Sequence, residues 1–320
     1  MLKVVIVGYG EMFTNLIAGT LDSGCEIAGV LRKDTVKYHP LWRKIKDIIN
    51  PSVEYNYINS YSIPEIKARG VNTKEFKQAL LKLNPDIILV GSWGEKISKE
   101  IYDFPKIAAI NAHPSLLPKY RGPNPYFWTI INQEQISGIT FHLIDKGLDT
   151  GAMLAQEEIK ISPSDTGKSL KERTVLVARG VVCELLKALR EDIIIPLTQR
   201  EDKASYYSHP EDLELDFTRT AEENDALIRA IYPWSEAYFY HKDICLAVSS
   251  HQTEISENKT EFTEAGTIIE TDYKNRTISV LCSDNKILKI QIHLYKKYDR
   301  PFTKFYIKRE LSEGTILNFL

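Results

Sequence analysis

The first half of the chain alternates short apolar runs with stretches whose apolar residues recur at helical spacing. The runs at 3–7, 26–31, 86–91 and 107–111 predict buried strands, and the stretches at 11–22, 73–83 and 96–102 predict helices. Strands that alternate with helices are typical of a parallel sheet covered on both faces. The pattern therefore predicts an α/β domain with a doubly wound, mostly parallel sheet.

The second half of the chain has a different pattern. A long amphipathic stretch at 167–189 predicts a helix that closes the first domain, and the polar stretch at 195–210 suits a linker. After a predicted helix at 221–231, short strands are predicted at 237–240, 244–249, 266–270, 277–282 and 287–293. Such strands favour a small β-barrel of the OB-like kind. The predicted organisation is a catalytic domain at 1–195, a linker at 196–210 and a C-terminal β-barrel domain at 211–320.

Composition sets bounds on the class of protein. With 320 residues and 43% hydrophobic content, the chain can bury cores for two domains. A net charge of −2 gives no overall field for nucleic acid, although a local basic patch could bind one. The four cysteines lack metal-ligand spacing, so no disulfide framework and no metal are expected. The first residues predict a strand rather than a signal peptide, and no apolar run approaches the ~18 residues of a membrane span, which indicates a cytoplasmic protein.

Two glycines follow the first predicted strand, at Gly8 and Gly10. They hint at dinucleotide binding, but Phe13 stands where the third glycine of that fingerprint belongs. A tight turn from strand to helix explains the two glycines equally well. A nucleotide-binding redox protein is therefore the minor alternative, and it would bind NAD(P)H and no folate.

The candidate chemistry lies at the end of the strand predicted at 107–111. Asn111 and His113 are two positions apart, so their side chains share one face, and Pro114 ends the strand. Ligands of open parallel sheets bind beyond the carboxyl ends of the strands. An imidazole can accept a proton from an attacking amine, and a carboxamide can stabilise an oxyanion. Asp149, in a glycine-bounded loop after a strand predicted at 138–144, could select the imidazole tautomer and stabilise the imidazolium.

A structural role is the alternative for each of these residues: a strand-end histidine and a turn or cap aspartate. Against it stands the surrounding sequence, in which Asn111-Ala112-His113 is followed by Pro-Ser-Leu-Leu-Pro-Lys-Tyr-Arg-Gly and later by Gly-Leu-Asp-Thr-Gly. This combination resembles the signature of the 10-formyltetrahydrofolate-dependent formyltransferases, in particular their methionyl-tRNA formyltransferase type. The resemblance implies that Asn111 polarises the formyl carbonyl, that His113 accepts the amine proton and that Asp149 supports His113.

The resemblance also implies where the substrates bind. The family holds its pterin between two loops, and the corresponding cofactor-binding residues here are Gly91, Ser92, Trp93, Gly94, Ile97, Ile144, Gly147 and Leu148. The loop after the catalytic strand supplies the predicted substrate-binding residues Ser115, Leu116, Leu117, Pro118, Arg121 and Gly122. Arg121 could hold a phosphate or carboxylate bidentately, or satisfy loop carbonyls instead. Trp93, Tyr126 and Trp128 could line the pocket or pack the core, and His142 is expected in the core or behind the site.

The sequence is compatible with more than one formyl acceptor. Residues 227–234 resemble the start of the family's C-terminal domain and 265–269 a strand of its barrel, which favours the amino group of initiator methionyl-tRNA. However, residues 123–126 are bulkier than usual, and the basic segment 32–46 lacks glycines and predicts an amphipathic helix at 41–49. An amino sugar on a nucleotide is therefore an alternative acceptor, and water, as in a formyl-donor hydrolase, is another.

The closing segment interleaves basic and aromatic residues between Lys296 and Arg309. It predicts either a nucleic-acid surface or, with more weight, a solvated barrel edge.

Overall fold

The computed structural model describes residues 1–33, 47, 49–295 and 300–317. These residues form two compact units. The N-terminal unit comprises Met1–Pro125, Ile136–Lys160 and Lys171–Ser208, and the C-terminal unit comprises Tyr126–Gln135, Ile161–Leu170 and His209–Leu320. Residues 196–208 of the predicted linker lie in the N-terminal unit.

The first half of the chain alternates strands and helices, as predicted. In chain order these are β1 Lys3–Gly8, α1 Gly10–Asp22, β2 Glu26–Arg32, α2 Val53–Ser60, α3 Lys74–Leu83, β3 Ile87–Gly91, α4 Lys99–Tyr102, β4 Ala108–His113, α5 Pro125–Ile131, β5 Ile136–Leu143, β6 Met153–Lys160 and α6 Gly167–Arg190. The strand order is β2-β1-β3-β4-β5-β6. The first four strands in that order are parallel, whereas β5 and β6 are antiparallel to their neighbours.

Helices cover both faces of this sheet, which confirms the doubly wound prediction. Val4 and Ile6 of β1 pack into one apolar cluster with residues of α1 and α6. Val5 and Val7 point the other way, into a second cluster with residues of α3 and α4. The strand period of two thus divides one apolar run between two cores.

The C-terminal unit contains an antiparallel sheet of short strands. Its elements are α7 Ala221–Ile231, β7 Tyr238–His241, β8 Ile244–Val248, β9 Glu254–Glu257, β10 Ile268–Asp272, β11 Thr277–Leu281, β12 Lys286–Leu294 and α8 Arg300–Glu310. The sheet order is β10-β11-β12-β8-β7, and β9 also pairs with β12. The predicted C-terminal domain of short strands is confirmed, and closure of its sheet into a barrel stays a prediction.

The structure corrects the prediction for the closing segment. Instead of a barrel edge, α8 runs from Arg300 to Glu310 and buries Ile307 in the core of the unit. Helices α2 and α5 and strands β6 and β9 were also not predicted. Only one residue of β6, Ile159, is buried, so the strand lacks the apolar alternation that marks a half-buried strand. The helix predicted at 41–49 lies outside the described residues, except for Asp47 and Ile49.

No helix in the described ranges is both long enough and apolar enough to cross a membrane.

Two neighbouring leucines of α3 allow a test of core packing, because Leu80 is fully buried and Leu81 is 63% exposed. We expect Leu80→Ala to lower the free energy of unfolding by about 2–5 kcal/mol, because it leaves a cavity beneath the sheet. Leu81→Ala makes the same chemical change in the same helix and should cost less than about 1 kcal/mol. Denaturant titration measures both, and equal losses would contradict this assignment of the helix face.

Candidate active site

Strand β4 presents Asn111 and His113 on one face of the sheet. Ile110 and Ala112 point into the core formed with α1 and α6, so the residues that alternate with them face the other way. Within the sheet, Asn111 lies opposite Val90 of β3 and His142 of β5, and His113 lies opposite Thr140 of β5. The strand ends at His113, immediately before Pro114, as the sequence predicts.

The His113 imidazole has a polar neighbour beside each of its ring nitrogens. Its Nε2 lies 2.8 Å from the Tyr120 carbonyl oxygen, and its Nδ1 lies 3.6 Å from Oδ2 of Asp149. Because a carbonyl can only accept, Nε2 carries the proton, and the Nδ1 lone pair of the neutral ring faces Asp149. The Tyr120 carbonyl therefore sets the His113 tautomer, a role that was predicted for Asp149.

Asp149 lies at the centre of the polar cluster. Its Oδ2 accepts a hydrogen bond from the Gly122 amide at 2.9 Å, and its Oδ1 accepts one from Nδ2 of Asn111 at 3.3 Å. Asp149 has a left-handed backbone, with φ of 56°. Gly122 also has a positive φ, of 94°, and a Cβ there would lie 2.3 Å from the Tyr207 carbonyl oxygen. Glycine is thus required where the loop delivers its amide to the carboxylate.

Burial and charge set the ionisation of this pair. Burial lowers the pKa of His113 below its ordinary value of 6.5, and His142 acts in the same direction, while Asp149 and the Tyr120 carbonyl oppose them. Burial acts to raise the pKa of Asp149, but His113, His142 and the Gly122 amide outweigh it and hold that pKa at about 2. At neutral pH the cluster therefore contains a neutral imidazole beside a carboxylate. This is the ionisation state that a general base requires.

His142 is part of this cluster, and sequence reasoning assigned it no specific role. Its Nδ1 donates to the Leu143 carbonyl at 2.8 Å, so its Nε2 can accept the Asn111 amide, which lies 3.2 Å away. The same Nε2 is 3.5 Å from Oδ1 of Asp149. A polar residue within an apolar strand was the only sign of His142 in the sequence. The antiparallel pairing of β5 with β4, which places His142 opposite Asn111, could not be predicted.

The loop after β4 is held by bonds within the protein. Thr140 Oγ1 donates to the Ser115 carbonyl and accepts from the Leu117 amide, and the Ser115 hydroxyl donates to the Lys119 carbonyl. The Pro118 carbonyl accepts from the Ser205 amide. These contacts fix the course of the loop that contains the predicted substrate-binding residues Ser115, Leu116, Leu117, Pro118, Arg121 and Gly122, whose contact with a substrate stays a prediction.

Arg121 is buried and bonded within the protein. Its guanidinium donates to Oε1 of Gln199 and, through two nitrogens, to the Glu201 carboxylate at 3.0 and 2.7 Å. These acceptors are side-chain oxygens, not the loop carbonyls considered from the sequence, and contact of Arg121 with a substrate phosphate or carboxylate stays a prediction.

The two predicted pterin loops contribute to one apolar cluster. Ile97 is buried in it with Val90, and Trp93 and Ile144 pack against it. The Trp93 indole Nε1 is buried and has no hydrogen-bond partner among the described residues. Ser92, Gly94 and Leu148 are exposed. Gly91 ends β3 beside Ala112, and Gly147 donates its amide to Asp145.

The glycines after β1 have a structural explanation. The Gly10 amide, at the first turn of α1, donates to the Glu54 carboxylate at 2.8 Å. An amide that would face a phosphate in a dinucleotide site therefore already has an anionic partner. The described residues contain no group of three or more side chains suited to a metal ion. Tyr126 and Trp128 belong to the C-terminal unit.

Comparison with known proteins agrees with this arrangement. A family model described as formyl transferase matches residues 2–186, and one described as formyl transferase, C-terminal domain, matches residues 208–305. The chain therefore belongs to the formyl transferase family, and the predicted enzyme class is confirmed. The chain is similar to the methionyl-tRNA formyltransferase of Clostridioides difficile (strain 630), with 32% identity over 99% of this chain and 100% of that protein.

A second relative and two solved structures extend the comparison. The methionyl-tRNA formyltransferase of Clostridium tetani (strain Massachusetts / E88) is 34% identical over 76% of this chain and 78% of its own length. The sugar 3N-formyl transferase WlaRD, solved in the presence of dTDP and 5-N-formyl-THF, has a TM-score of 0.65, 19% identity and coverage of 93% and 99%. An N-formyltransferase from Helicobacter canadensis, in complex with folinic acid and dTDP-3-aminofucose, has the same TM-score and identity, with coverage of 92% and 100%. At this identity the structures share the fold.

The lowered pKa of His113 predicts a contribution to the pH dependence of stability. The folded state favours the neutral ring, so this contribution is fully present above pH 6.5 and is lost as pH falls below that value toward the lower pKa of the folded protein. The loss can reach about 1.4 kcal/mol per pH unit. Denaturant titration of the wild type and His113→Gln between pH 8 and 5 should show a steeper loss for the wild type. Parallel curves would contradict the buried neutral imidazole.

Proposed function

We propose that the protein transfers a formyl group from 10-formyltetrahydrofolate to a primary amine, and that the acceptor is the amino group of initiator methionyl-tRNA. The observation that carries the proposal is the convergence of Asn111, His113 and Asp149 around a neutral, buried imidazole. This arrangement provides a base, a carboxylate to stabilise its protonated form and an amide donor within one cluster.

The reaction proceeds by direct attack. The acceptor amine forms a bond to the formyl carbon, and the electron pair of the carbonyl bond moves to its oxygen, where the Asn111 amide stabilises it. His113 takes the amine proton at Nδ1, because Nε2 already donates to Tyr120. The new imidazolium is then held between the Tyr120 carbonyl and Asp149. When the tetrahedral intermediate collapses, the bond from the formyl carbon to N10 of the donor breaks and N10 receives the proton from His113.

Several observations support the folate donor. The two partly buried side chains Trp93 and Ile144, which pack against the apolar cluster that contains Ile97, suit contact with a flat heterocycle. The unpaired indole N–H of Trp93 offers a donor there, and a buried donor without a partner carries a cost that a ligand could remove. Structural neighbours of the same fold were solved with formyl-tetrahydrofolate or folinic acid.

The choice of acceptor is supported by the relatives and by one surface. The methionyl-tRNA formyltransferase of Clostridioides difficile aligns over 99% of this chain, which includes the C-terminal unit. On α8, Phe302 and Phe305 are 65% and 59% exposed, and Lys304, Lys308 and Arg309 are exposed beside them. Basic and aromatic side chains together suit a nucleic acid. A tRNA acceptor also implies that the protein acts in the cytoplasm.

The test is to incubate the protein with 10-formyltetrahydrofolate and either initiator methionyl-tRNA or nucleotide-linked amino sugars, and to follow tetrahydrofolate and formate. Formylation of the tRNA supports the proposal. Transfer to the amino sugar alone overturns the acceptor, and formate release without an amine indicates the hydrolase.

The roles of the three residues predict large losses of turnover. We expect Asn111→Ala, His113→Gln and Asp149→Asn each to lower kcat by about 10²-fold or more, because each removes acid–base work or oxyanion stabilisation. Asp192→Asn is the matched control, since Asp192 is exposed and has the same φ of 56° as Asp149. Near-normal rates in the three variants would remove these residues from the mechanism.

Trp93 allows a separate test of donor binding. Trp93→Phe keeps a ring in the apolar cluster but removes the indole N–H, so we expect about 5-fold weaker binding of 5-formyltetrahydrofolate, equivalent to about 1 kcal/mol. Isothermal titration measures the Kd. Trp234→Phe, at an exposed position of the C-terminal unit, is the control. Unchanged affinity in Trp93→Phe would show that the N–H meets no group of the donor.

A further inference from the structure

Gln199 makes four hydrogen bonds with its side-chain amide. Its Nε2 donates to the Asp149 carbonyl at 2.8 Å and to the Gly151 carbonyl at 2.7 Å. Its Oε1 accepts from Nε and Nη2 of Arg121, at 3.2 and 2.9 Å. The residue is only 5% exposed, although it lies in a stretch whose polar sequence predicted a linker.

The Gln199 side chain bonds the Asp149 loop at a residue with an unfavourable backbone conformation. Asp149 has a left-handed backbone, which costs free energy for a residue other than glycine unless the surroundings hold it. Two carbonyls of this loop need donors, and Gln199 supplies one to each. The same side chain therefore supports the backbone that carries the carboxylate facing His113.

Arg121 determines which way the Gln199 amide points. Because a guanidinium can only donate, it must face the oxygen of the amide, which leaves the nitrogen directed at the loop carbonyls. Glu201 holds the guanidinium in turn through two oxygens. The chain of contacts runs from Glu201 through Arg121 and Gln199 to Asp149.

Residues near Gln199 also hold the loop that carries Tyr120, whose carbonyl is the second neighbour of His113. The Ser205 hydroxyl accepts from the Tyr120 amide at 2.9 Å, and the Arg121 amide donates to the Ser205 carbonyl at 2.9 Å. Tyr207 donates its amide to the Arg121 carbonyl and stacks on Tyr120. Residues 199–207 thus contact both the loop of the Tyr120 carbonyl and the loop of Asp149.

We propose that Gln199 is a positioning residue for the transferase: it holds the Asp149 loop in its left-handed conformation, with its amide oriented by Arg121, so that the carboxylate faces the His113 imidazole. This inference rests on the function proposed above. Gln199 acts through Asp149 and touches no reacting atom.

The experiment measures the pKa of His113 by NMR titration of the protein labelled at histidine ring carbons. The groups that face His113 are Asp149, His142 and the Tyr120 carbonyl. Asp149 raises the pKa of His113, so Asp149→Asn should lower it. Methionine is similar in size to glutamine but cannot replace its hydrogen bonds. We therefore expect Gln199→Met to lower the pKa of His113 by at least half the shift that Asp149→Asn causes. A pKa equal to that of the wild type would overturn the proposal, whatever happens to stability.

Turnover provides a second measurement. A shift of about 1 Å in a catalytic group can lower the rate by about 10²-fold, so we expect Gln199→Met to lower kcat at least 10-fold while KM for the donor stays within about 3-fold. Gln199→Glu keeps an oxygen for Arg121 but sets a carboxylate against two carbonyls, so it should lose at least as much kcat. Wild-type kcat in Gln199→Glu would mean that only the contact with Arg121 matters, and would overturn the proposal.

Asn224 provides a matched control in the C-terminal unit. It is also buried, and its amide nitrogen donates to the Asp216 and Thr220 carbonyls at 2.9 and 3.0 Å. Asn224→Leu should lower stability but leave the pKa of His113 unchanged, and a matching pKa shift there would overturn the specific role of Gln199. If the wild type transfers no formyl group to any acceptor, the proposed function fails, while the NMR comparison still tests the placement of Asp149 by Gln199.

Discussion

The site depends on the placement of the buried His113 imidazole between the Tyr120 carbonyl oxygen and the Asp149 carboxylate. The Tyr120 carbonyl fixes the proton on Nε2, and burial keeps the ring neutral. The carboxylate of Asp149 gains its full electrostatic effect only after Nδ1 takes a proton. At rest the pair formed by His113 and Asp149 therefore contains one negative charge, and after protonation of His113 it is an ion pair.

The fold brings these groups together from distant parts of the chain. The parallel half of the sheet aligns the ends of β1, β3 and β4, since Gly8, Gly91 and Ala112 are in register. The antiparallel strand β5 then places Thr140 and His142 beside β4, and the loop after it returns Asp149 to the same cluster. A fully parallel sheet would give Asn111 a different neighbour from His142.

Local sequence was sufficient to predict the parallel strands and helices α1, α3, α4 and α6, because apolar period and glycine position are local signals. It also predicted that Asn111 and His113 share a face, since that follows from strand geometry alone. The contact of His142 with Asn111 depends on pairing register, which a slip of one residue would reverse. The role of Gln199 could not be predicted either, because its three partner residues, Asp149, Gly151 and Arg121, lie 50, 48 and 78 positions away. Helix α8 could have been predicted from the spacing of Thr303, Ile307 and Leu311, which recur every four residues in the sequence. All three are fully buried in the structure.

The amide nitrogen of Asn111 already has two acceptors, Nε2 of His142 and Oδ1 of Asp149. An uncharged carbonyl oxygen that replaces Nε2 of His142 exchanges one neutral acceptor for another, so it gains little attraction. Once bond formation gives that oxygen a negative charge, it becomes the stronger acceptor and competes successfully for the amide. In the proposed reaction the Asn111 amide would therefore favour the transition state over the ground state, and such a difference, rather than tight binding, accelerates a reaction.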